Sequence, residues 1–229
     1  MNNQEVWEKE YQEFNLLSGI DNDRPNANLT RFLGWLKKRK IGFSDWQILD
    51  LGSGVGRNAD YLANLGCKVV GLEFSREAVK IAKARATTSD VAIDYRQHDI
   101  GSTYPFPDSS FDLILDITSS NSLDEKGREV YLEEVKRVLK PGGWFFVRAL
   151  CKDGDKNAKN LLKQFPGREK DTYVMPEMGL VERVFSREDF VALYSRYFQI
   201  EYLGKTIRYP SLNGRKFKRF YWVAYMQNV

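Results

Sequence analysis

The run ILDLGSGVGRN, residues 48–58, places Gly52, Gly54 and Gly56 at alternate positions directly behind an apolar stretch. Three bare backbone positions in five residues suit a turn that something must approach very closely. Between a buried strand and a helix, such a turn makes an anion- or nucleotide-sized hollow at the helix N-terminus. Asp50 ends that strand at its carboxyl edge, where open α/β sheets bind ligands. Glu73 stands 23 residues further on, at the end of the next strand, where a carboxylate can accept from both hydroxyls of a ribose. Facing an open cleft, it is expected to hold little of the fold together. Asp99, in QHDIG, closes the third strand and is placed to accept from an exocyclic amine. Three acids ending three successive strands beside a bare turn describe an adenosine-shaped site.

The elements that must position these residues are legible from periodicity. Leu29, Phe32, Leu33 and Leu36 recur at i, i+3, i+4 and i+7, an amphipathic helix running into KKRK. WQILDL (46–51) reads as a buried strand, RNADYLANLG as a helix stopped by Gly66, and KVVGLE (68–73) as the next strand. SREAVKIAKARA (75–86) is helical with Ser75 as N-cap, and AIDYRQHD (92–99) and FDLILD (111–116) are strands. EKGREVYLEEVKRVLKPGG reads as a helix with a proline-glycine stop, followed by the strand WFFVRAL (144–150). Strands separated by helical stretches imply right-handed crossovers and a parallel sheet. Past residue 150 the rhythm changes. Residues 151–185 are polar and longer than a simple connection, so they read as a partly helical insertion or lid. SREDFVALYSRYF returns to helix, with Ser186 and Asp189 as a capping box. QIEYLGKTIRY and KRFYWVAYMQ flank an Asn213-Gly214 turn signal, an antiparallel hairpin that closes the sheet.

Which adenosine ligand is meant follows from the glycine spacing. A dinucleotide fold asks for G-x-G-x-x-G, and the third glycine position is Arg57 here. A phosphate-binding loop asks for Gly-Lys-Ser/Thr, which GRN does not supply. Taken together, ILDLGSGVGRNADYLANLG, VVGLEFS, QHDI, FDLILD and VLKPGGWFFV resemble the ordered motifs of class I S-adenosylmethionine-dependent methyltransferases. The likeness covers about residues 46 to 150. It implies a fold and a set of roles. The expected fold is α/β, a Rossmann-like, seven-stranded, mostly parallel, doubly wound sheet with an antiparallel C-terminal hairpin. The expected organisation is one domain over 1–229: an N-terminal helical cap (1–45), a cofactor-binding core (46–150), the insertion or lid (151–185) and the closing helix and hairpin (186–229).

By the same resemblance, Asp50, Gly52, Ser53 and Gly54 line the methionine part of S-adenosylmethionine, and Asn58 joins the cofactor-binding set. Glu73 binds the ribose hydroxyls with Phe74 beside the adenine, and Asp99 and Ile100 hold the adenine from its amine edge and face. Asp116, ending the fourth strand, lies near the methionine amine and the transferring methyl. It is the first candidate for a general base and equally a holder of the cofactor's ammonium group. S-adenosylhomocysteine is the expected product, and no metal is expected.

Composition narrows the setting. The chain has 229 residues, a net charge of +4, two cysteines and one histidine. Cys67 and Cys151 are too few for a disulfide framework, and His98 alone supports no structural zinc site. No apolar run is long enough for a membrane span. MNNQEVWEKEYQEF lacks the basic and apolar regions of a signal peptide, so the cytosol is the expected location. Cys151 lacks the sequence context of a methyltransferase nucleophile, and His98 reads as a packing or surface residue. Trp7 and Tyr11, with Val6, Glu10 and Phe14, fall near helical spacing and resemble the aromatic cap of small-molecule methyltransferases of the tellurite-resistance and thiopurine groups. Arg24 or Arg31 is placed to meet the cofactor carboxylate. Tyr173, Met175 and Met178 in the insertion are candidate walls for an apolar acceptor. These features favour a small-molecule acceptor and a monomer or homodimer. After Glu201 the chain carries no acid while Lys205, Arg208, Arg215, Lys216, Lys218 and Arg219 accumulate, which keeps an RNA acceptor as the alternative. A non-catalytic S-adenosylmethionine-binding subunit is the alternative from another class.

Overall fold

A computed structural model of the chain describes residues 3–13, 24–212 and 215–229. The elements in order are α1 (Asn3–Glu13), α2 (Ala27–Lys38), β1 (Gln47–Leu51), α3 (Arg57–Ala63), β2 (Lys68–Glu73), α4 (Arg76–Thr88), β3 (Ile93–Gln97) and β4 (Phe111–Ile117). A short 3-10 turn (Ser120–Ser122) leads to α5 (Glu125–Val138), β5 (Leu139–Leu150), α6 (Lys156–Gln164), β6 (Thr172–Val174), β7 (Val181–Arg183) and α7 (Arg187–Tyr194). The chain closes with β8 (Gln199–Arg208), β9 (Ser211–Leu212), β10 (Arg215–Lys216) and β11 (Arg219–Gln227).

Seven strands form the central sheet in the order β3-β2-β1-β4-β5-β11-β8. β3 through β5 run parallel, and β11 pairs antiparallel with both β5 and β8. The inner strands β1, β4, β5 and β11 are covered on both faces, which is why they read as nearly continuous apolar runs, while the edge strands β3 and β8 are largely exposed. Alternation sorts their side chains. Ile48, Val69, Leu113, Phe146 and Val223 face α2, α3 and α4, where Phe32 lies 4.7 Å from the Tyr225 ring and 5.4 Å from Phe146. Leu49, Leu72, Ile114, Phe145 and Trp222 face the opposite way, onto Tyr131 and Leu132 of α5 and Phe190 of α7. The expected helix caps are present. Ser75 Oγ accepts from Ala78 N at 3.1 Å and Ser186 Oγ from Asp189 N at 3.0 Å. The Asp189 carboxylate returns to the Ser186 hydroxyl rather than to the backbone.

Two details differ from the sequence reading. The helix before the proline-glycine pair ends at Val138, and Leu139 already pairs with Phe111 as the first residue of β5. Lys140 precedes a proline and is steered to extended backbone. Gly142 then turns at φ 75°, with its N–H donating to the Asn228 carbonyl. The pairing absorbs this detour as a register shift between Phe111 and Leu113. The Asn213-Gly214 turn signal lies outside the described residues, between the paired strands β9 and β10.

Residues 151–185 hold α6 and the antiparallel pair β6-β7. A third apolar cluster joins this segment to the rest: Tyr173, Met175, Leu180 and Val184 pack with Val6 of α1, Leu150 and Tyr221. Asp155 anchors it. One oxygen accepts from Ala158 N at 2.8 Å and caps α6, while the other accepts from Phe220 N at 2.8 Å and from Arg219 Nε at 3.3 Å. Both members of this ion pair are buried. Removing one partner of a buried pair leaves the other uncompensated. Asp155→Ala is therefore expected to lower unfolding free energy by about 3–5 kcal/mol in urea denaturation. A loss below about 1 kcal/mol would show that the anchor is dispensable.

Candidate functional site

The site starts from the backbone of the glycine turn. Gly52, Gly54 and Gly56 all have positive φ, at 64°, 54° and 87°. A Cβ on Gly52 would meet Ser119 Oγ at 2.2 Å, on Gly54 the Tyr11 hydroxyl at 2.9 Å, and on Gly56 the Tyr95 hydroxyl at 2.2 Å. The bare turn thus accommodates close neighbours from three other parts of the chain as well as opening onto a cavity. Glu73, nearly inaccessible at the end of β2, bolts this turn in place. Its Oε2 accepts from Gly54 N at 2.9 Å and its Oε1 from Ser75 N at 3.0 Å. Burial raises its pKa against the downward pull of those N–H groups. The expectation that Glu73 faces an open cleft and holds little together does not hold: it ties three segments to one another.

Asp50 is 2% exposed, and its Oδ2 has no hydrogen-bond partner. Ser53 Oγ, also buried, has none either. Desolvation, then the negative charges of Asp116 and Glu73, push the Asp50 carboxyl up to about 7, with Arg57 opposing. Asp116 is wholly buried. Its Oδ1 accepts from Ser119 N at 2.9 Å and Ser120 N at 3.3 Å, and its Oδ2 from the Ser120 hydroxyl and from Tyr131 at 2.6 Å. Those donors hold the loop after β4, where Thr118 sits at φ 69°. A β-branched residue in that region is strained and persists only where its surroundings impose it.

A cavity of about 1330 Å³ opens at the carboxyl ends of the parallel strands. Pockets for a single drug-sized ligand span ~300–1,000 Å³, so this one has room for two. One half is lined by Gly52, Ser53, Gly54, Asn58, Glu73, Phe74, Asp99 and Ile100. Asn58 accepts from Asn26 N at 2.8 Å, and Asp99 spends one oxygen on Gly101 N at 2.8 Å. The other half is lined by Ile117, Thr118, Ser119, Arg148 and the insertion residues Pro166–Glu169, Thr172, Val174 and Val181. α1 roofs the cavity with Trp7 and Tyr11, whose rings stack at 5.8 Å. Asn3 latches that roof: its Nδ2 donates to the carbonyls of Ser122 (2.7 Å) and Val181 (3.2 Å), and its Oδ1 accepts from Val181 N (3.0 Å).

Several expected residues stand elsewhere. Asp50 lies beneath the turn rather than on the wall, and Asp116 is off the wall with both oxygens taken, which removes the geometry of a general base. Tyr173 and Met175 point into the third apolar cluster, and Tyr173 spends its hydroxyl on Glu182 and Arg219. Strand alternation sends Thr172 and Val174 to the cavity instead. Met178 packs on the same cluster. Tyr11 reaches the cofactor side, over Gly54, rather than an acceptor wall. Arg24 and Arg31 are off the wall, and Phe14 lies outside the described residues. His98 contacts Ser102 and the Thr103 carbonyl. Burial pushes the Cys151 thiol up to about 11, the reverse of an activated nucleophile. The sequence reading missed Arg148, whose signal was a lone charge inside WFFVRAL.

Asp50 supplies a test that needs no ligand. A carboxyl whose folded-state pKa is raised favours the fold below its unfolded value near 3.8, and that contribution is lost as pH rises through about 7. Asp50→Asn removes the charge that burial penalises. The variant is expected to match wild type near pH 4 and to melt higher at pH 8, by roughly 2–4 °C for each kcal/mol relieved. A pH-independent difference between the two melting curves would refute the assignment.

Comparison with known proteins gives a consistent answer. The Methyltransferase domain family matches residues 49–147. The ubiquinone biosynthesis O-methyltransferase of Bordetella pertussis is 25% identical over 144 residues, which cover 63% of this chain and 57% of that protein. The chain therefore spans little more than half the length of that curated relative. An uncharacterised methyltransferase of Schizosaccharomyces pombe is 30% identical over 110 residues, 48% of this chain and 75% of that protein. The crystal structure of a SAM-dependent methyltransferase from Methanosarcina mazei superposes with a TM-score of 0.72 at 25% identity, covering 84% of this chain and 97% of that one. On these likenesses the chain belongs to the class I S-adenosylmethionine-dependent methyltransferases.

Proposed function

We propose that the chain transfers a methyl group from S-adenosylmethionine to a small-molecule acceptor, the two occupying the two halves of the cavity. One observation carries the reading. At a positive-φ glycine turn lie two buried oxygens without partners, Asp50 Oδ2 and Ser53 Oγ, on the same strand ends as Glu73, which ends β2, and Asp99, just past β3. A buried acceptor without a donor is costly, and a cationic or hydroxyl-bearing ligand relieves it. The residues fit the cofactor: Asp50 and Ser53 would take its ammonium group, Glu73 its ribose hydroxyls through the remaining lone pairs, and Asp99 with Ile100 its adenine. When bound, the cofactor supplies an electrophilic methyl group on a sulfonium centre.

The chain's own residues then align and shelter. α1 and the insertion cover the cavity and exclude water, the condition under which orientation alone lowers a barrier by roughly 7–11 kcal/mol. Asp116 acts as a positioning residue, holding the strained Thr118 loop against the acceptor half. The similarity to ubiquinone biosynthesis O-methyltransferases supports a small-molecule acceptor.

Calorimetry with S-adenosylhomocysteine is expected to give binding in roughly the micromolar range, about −8 kcal/mol, and NAD none. Glu73→Ala removes two charge-assisted acceptors and is expected to weaken S-adenosylhomocysteine by about 2–4 kcal/mol. It should also destabilise the ligand-free fold by about 1–3 kcal/mol, because Gly54 N and Ser75 N lose their acceptor. Wild-type affinity in a folded Glu73→Ala protein would remove the ribose role. Radiolabelled methyl transfer into a metabolite extract, with bulk RNA as the parallel arm, tests the acceptor class. Label appearing in RNA alone would overturn the small-molecule reading.

A further inference from the structure

The cavity wall carries cations that no ion pair among the described residues balances. Arg57, Lys126, Arg148 and Arg168 line the cavity, and none forms an ion pair among the described residues. The acids on the same wall each give an oxygen to backbone, and Glu169 keeps its Oε2 buried without a hydrogen-bond partner. Asp124 accepts from Gly127 N at 2.7 Å and Glu169 from Glu125 N at 2.9 Å, both at the start of α5. Glu73 and Asp99 are bound to Gly54, Ser75 and Gly101.

Arg148 is the most demanding of the four cations. It is 8% exposed, it faces the cavity, and its Nε has no acceptor. Its guanidinium lies 3.5 Å from the ring centroid of the buried Tyr221, which fixes its plane. Burial and nearby Arg208 and Arg57 lower its pKa to about 10, opposed by Tyr221. Leaving a buried charge without a partner is expensive, and a planar, always-protonated fork matches a carboxylate in two bonds.

Its place in the sheet selects between two carboxylates. Arg148 pairs in register with Ile117 of β4, and β4 separates it from β1, where Asp50 lies. Two inter-strand spacings of ~4.8 Å put it well away from the methionine end and beside Thr118, whose N–H donates to the Arg148 carbonyl at 2.8 Å. Arg57, at the start of α3 and adjacent to Asp50 and Tyr11, is the cation on the cofactor side. Resting on the methyl-transfer reading above, we infer that the acceptor bears a carboxylate and that Arg148 is the residue that selects it.

The test uses the full chain and matched probes that differ only in charge: benzoate against benzamide, and hexanoate against hexanamide. Each is titrated by calorimetry into the ligand-free protein and into the protein saturated with S-adenosylhomocysteine. Wild type is expected to bind the carboxylates at least tenfold tighter than the amides. Arg148→Met is expected to reduce that preference to twofold or less, and Arg148→Lys to retain part of it. S-adenosylhomocysteine affinity should stay within twofold of wild type in both variants. Absence of a carboxylate preference in wild type, including no binding of any probe, overturns the inference. So does a fall in S-adenosylhomocysteine affinity with the probe preference intact, which would assign Arg148 to the cofactor's own carboxylate. Loss of S-adenosylhomocysteine binding in wild type falls on the methyl-transfer reading instead. A carboxylate preference in that ligand-free protein would still support Arg148 as an anion selector.

Discussion

The carboxylate of Glu73 ties together the end of one strand, the glycine turn and a helix cap. It ends β2, receives the N–H of Gly54 in the turn after β1, and receives the N–H of Ser75 at the cap of α4. The turn runs through three positive-φ glycines, with Ser53 N donating to the Leu72 carbonyl at 3.0 Å and Gly56 N to the Ser53 carbonyl at 3.1 Å. The carboxylate adds the hold on Gly54, the middle glycine of the turn that lines the cofactor half of the cavity. The same group is also the one proposed to meet a ribose, so folding and binding share a single set of lone pairs.

That sharing explains the electrostatics around it. Asp50, Glu73 and Asp116 are buried, and the charges of Asp116 and Glu73 raise the proton affinity of Asp50. Asp116 is compensated by Ser119, Ser120 and Tyr131, and Glu73 by two backbone N–H groups. Asp50 has Arg57 near but an oxygen with no donor. The fold therefore carries, beneath the glycine turn, an acid with an oxygen left without a donor, and on the cavity wall a guanidinium, Arg148, whose Nε has no acceptor among the described residues. Such unmet groups are consistent with ligands that complete them, one cationic above Asp50 and one anionic where Arg148 lies.

The insertion converts an open sheet edge into a cavity. Asp155 and Arg219 bind it to β11, the third apolar cluster binds it to α1, and Asn3 joins the roof to its far strand. Its two strands alternate strictly, so burying Tyr173 and Met175 in that cluster obliges Thr172 and Val174 to face the acceptor.

By itself the sequence determined the elements and their order, because apolar periodicity and capping residues are local signals. Leu29, Phe32, Leu33 and Leu36 had to face a sheet, Ser75 and Ser186 had to start helices, and LGSGVG had to turn between a strand and a helix. It also determined that Asp50, Glu73 and Asp99 would gather at one edge, since parallel strands align their carboxyl ends. Only the tertiary structure decided what those residues do there. Whether Asp116 meets a ligand depends on Tyr131, fifteen residues away on another element, filling its lone pair first. Whether Tyr173 or Thr172 lines a wall depends on which face of a three-residue strand meets a core, and a strand that short carries no parity signal in its sequence. Arg148 reads locally as an odd charge in a buried strand. Its meaning comes from Tyr221 fixing it in place and from the absence of any acceptor for its Nε among the described residues, facts of packing that no local pattern encodes.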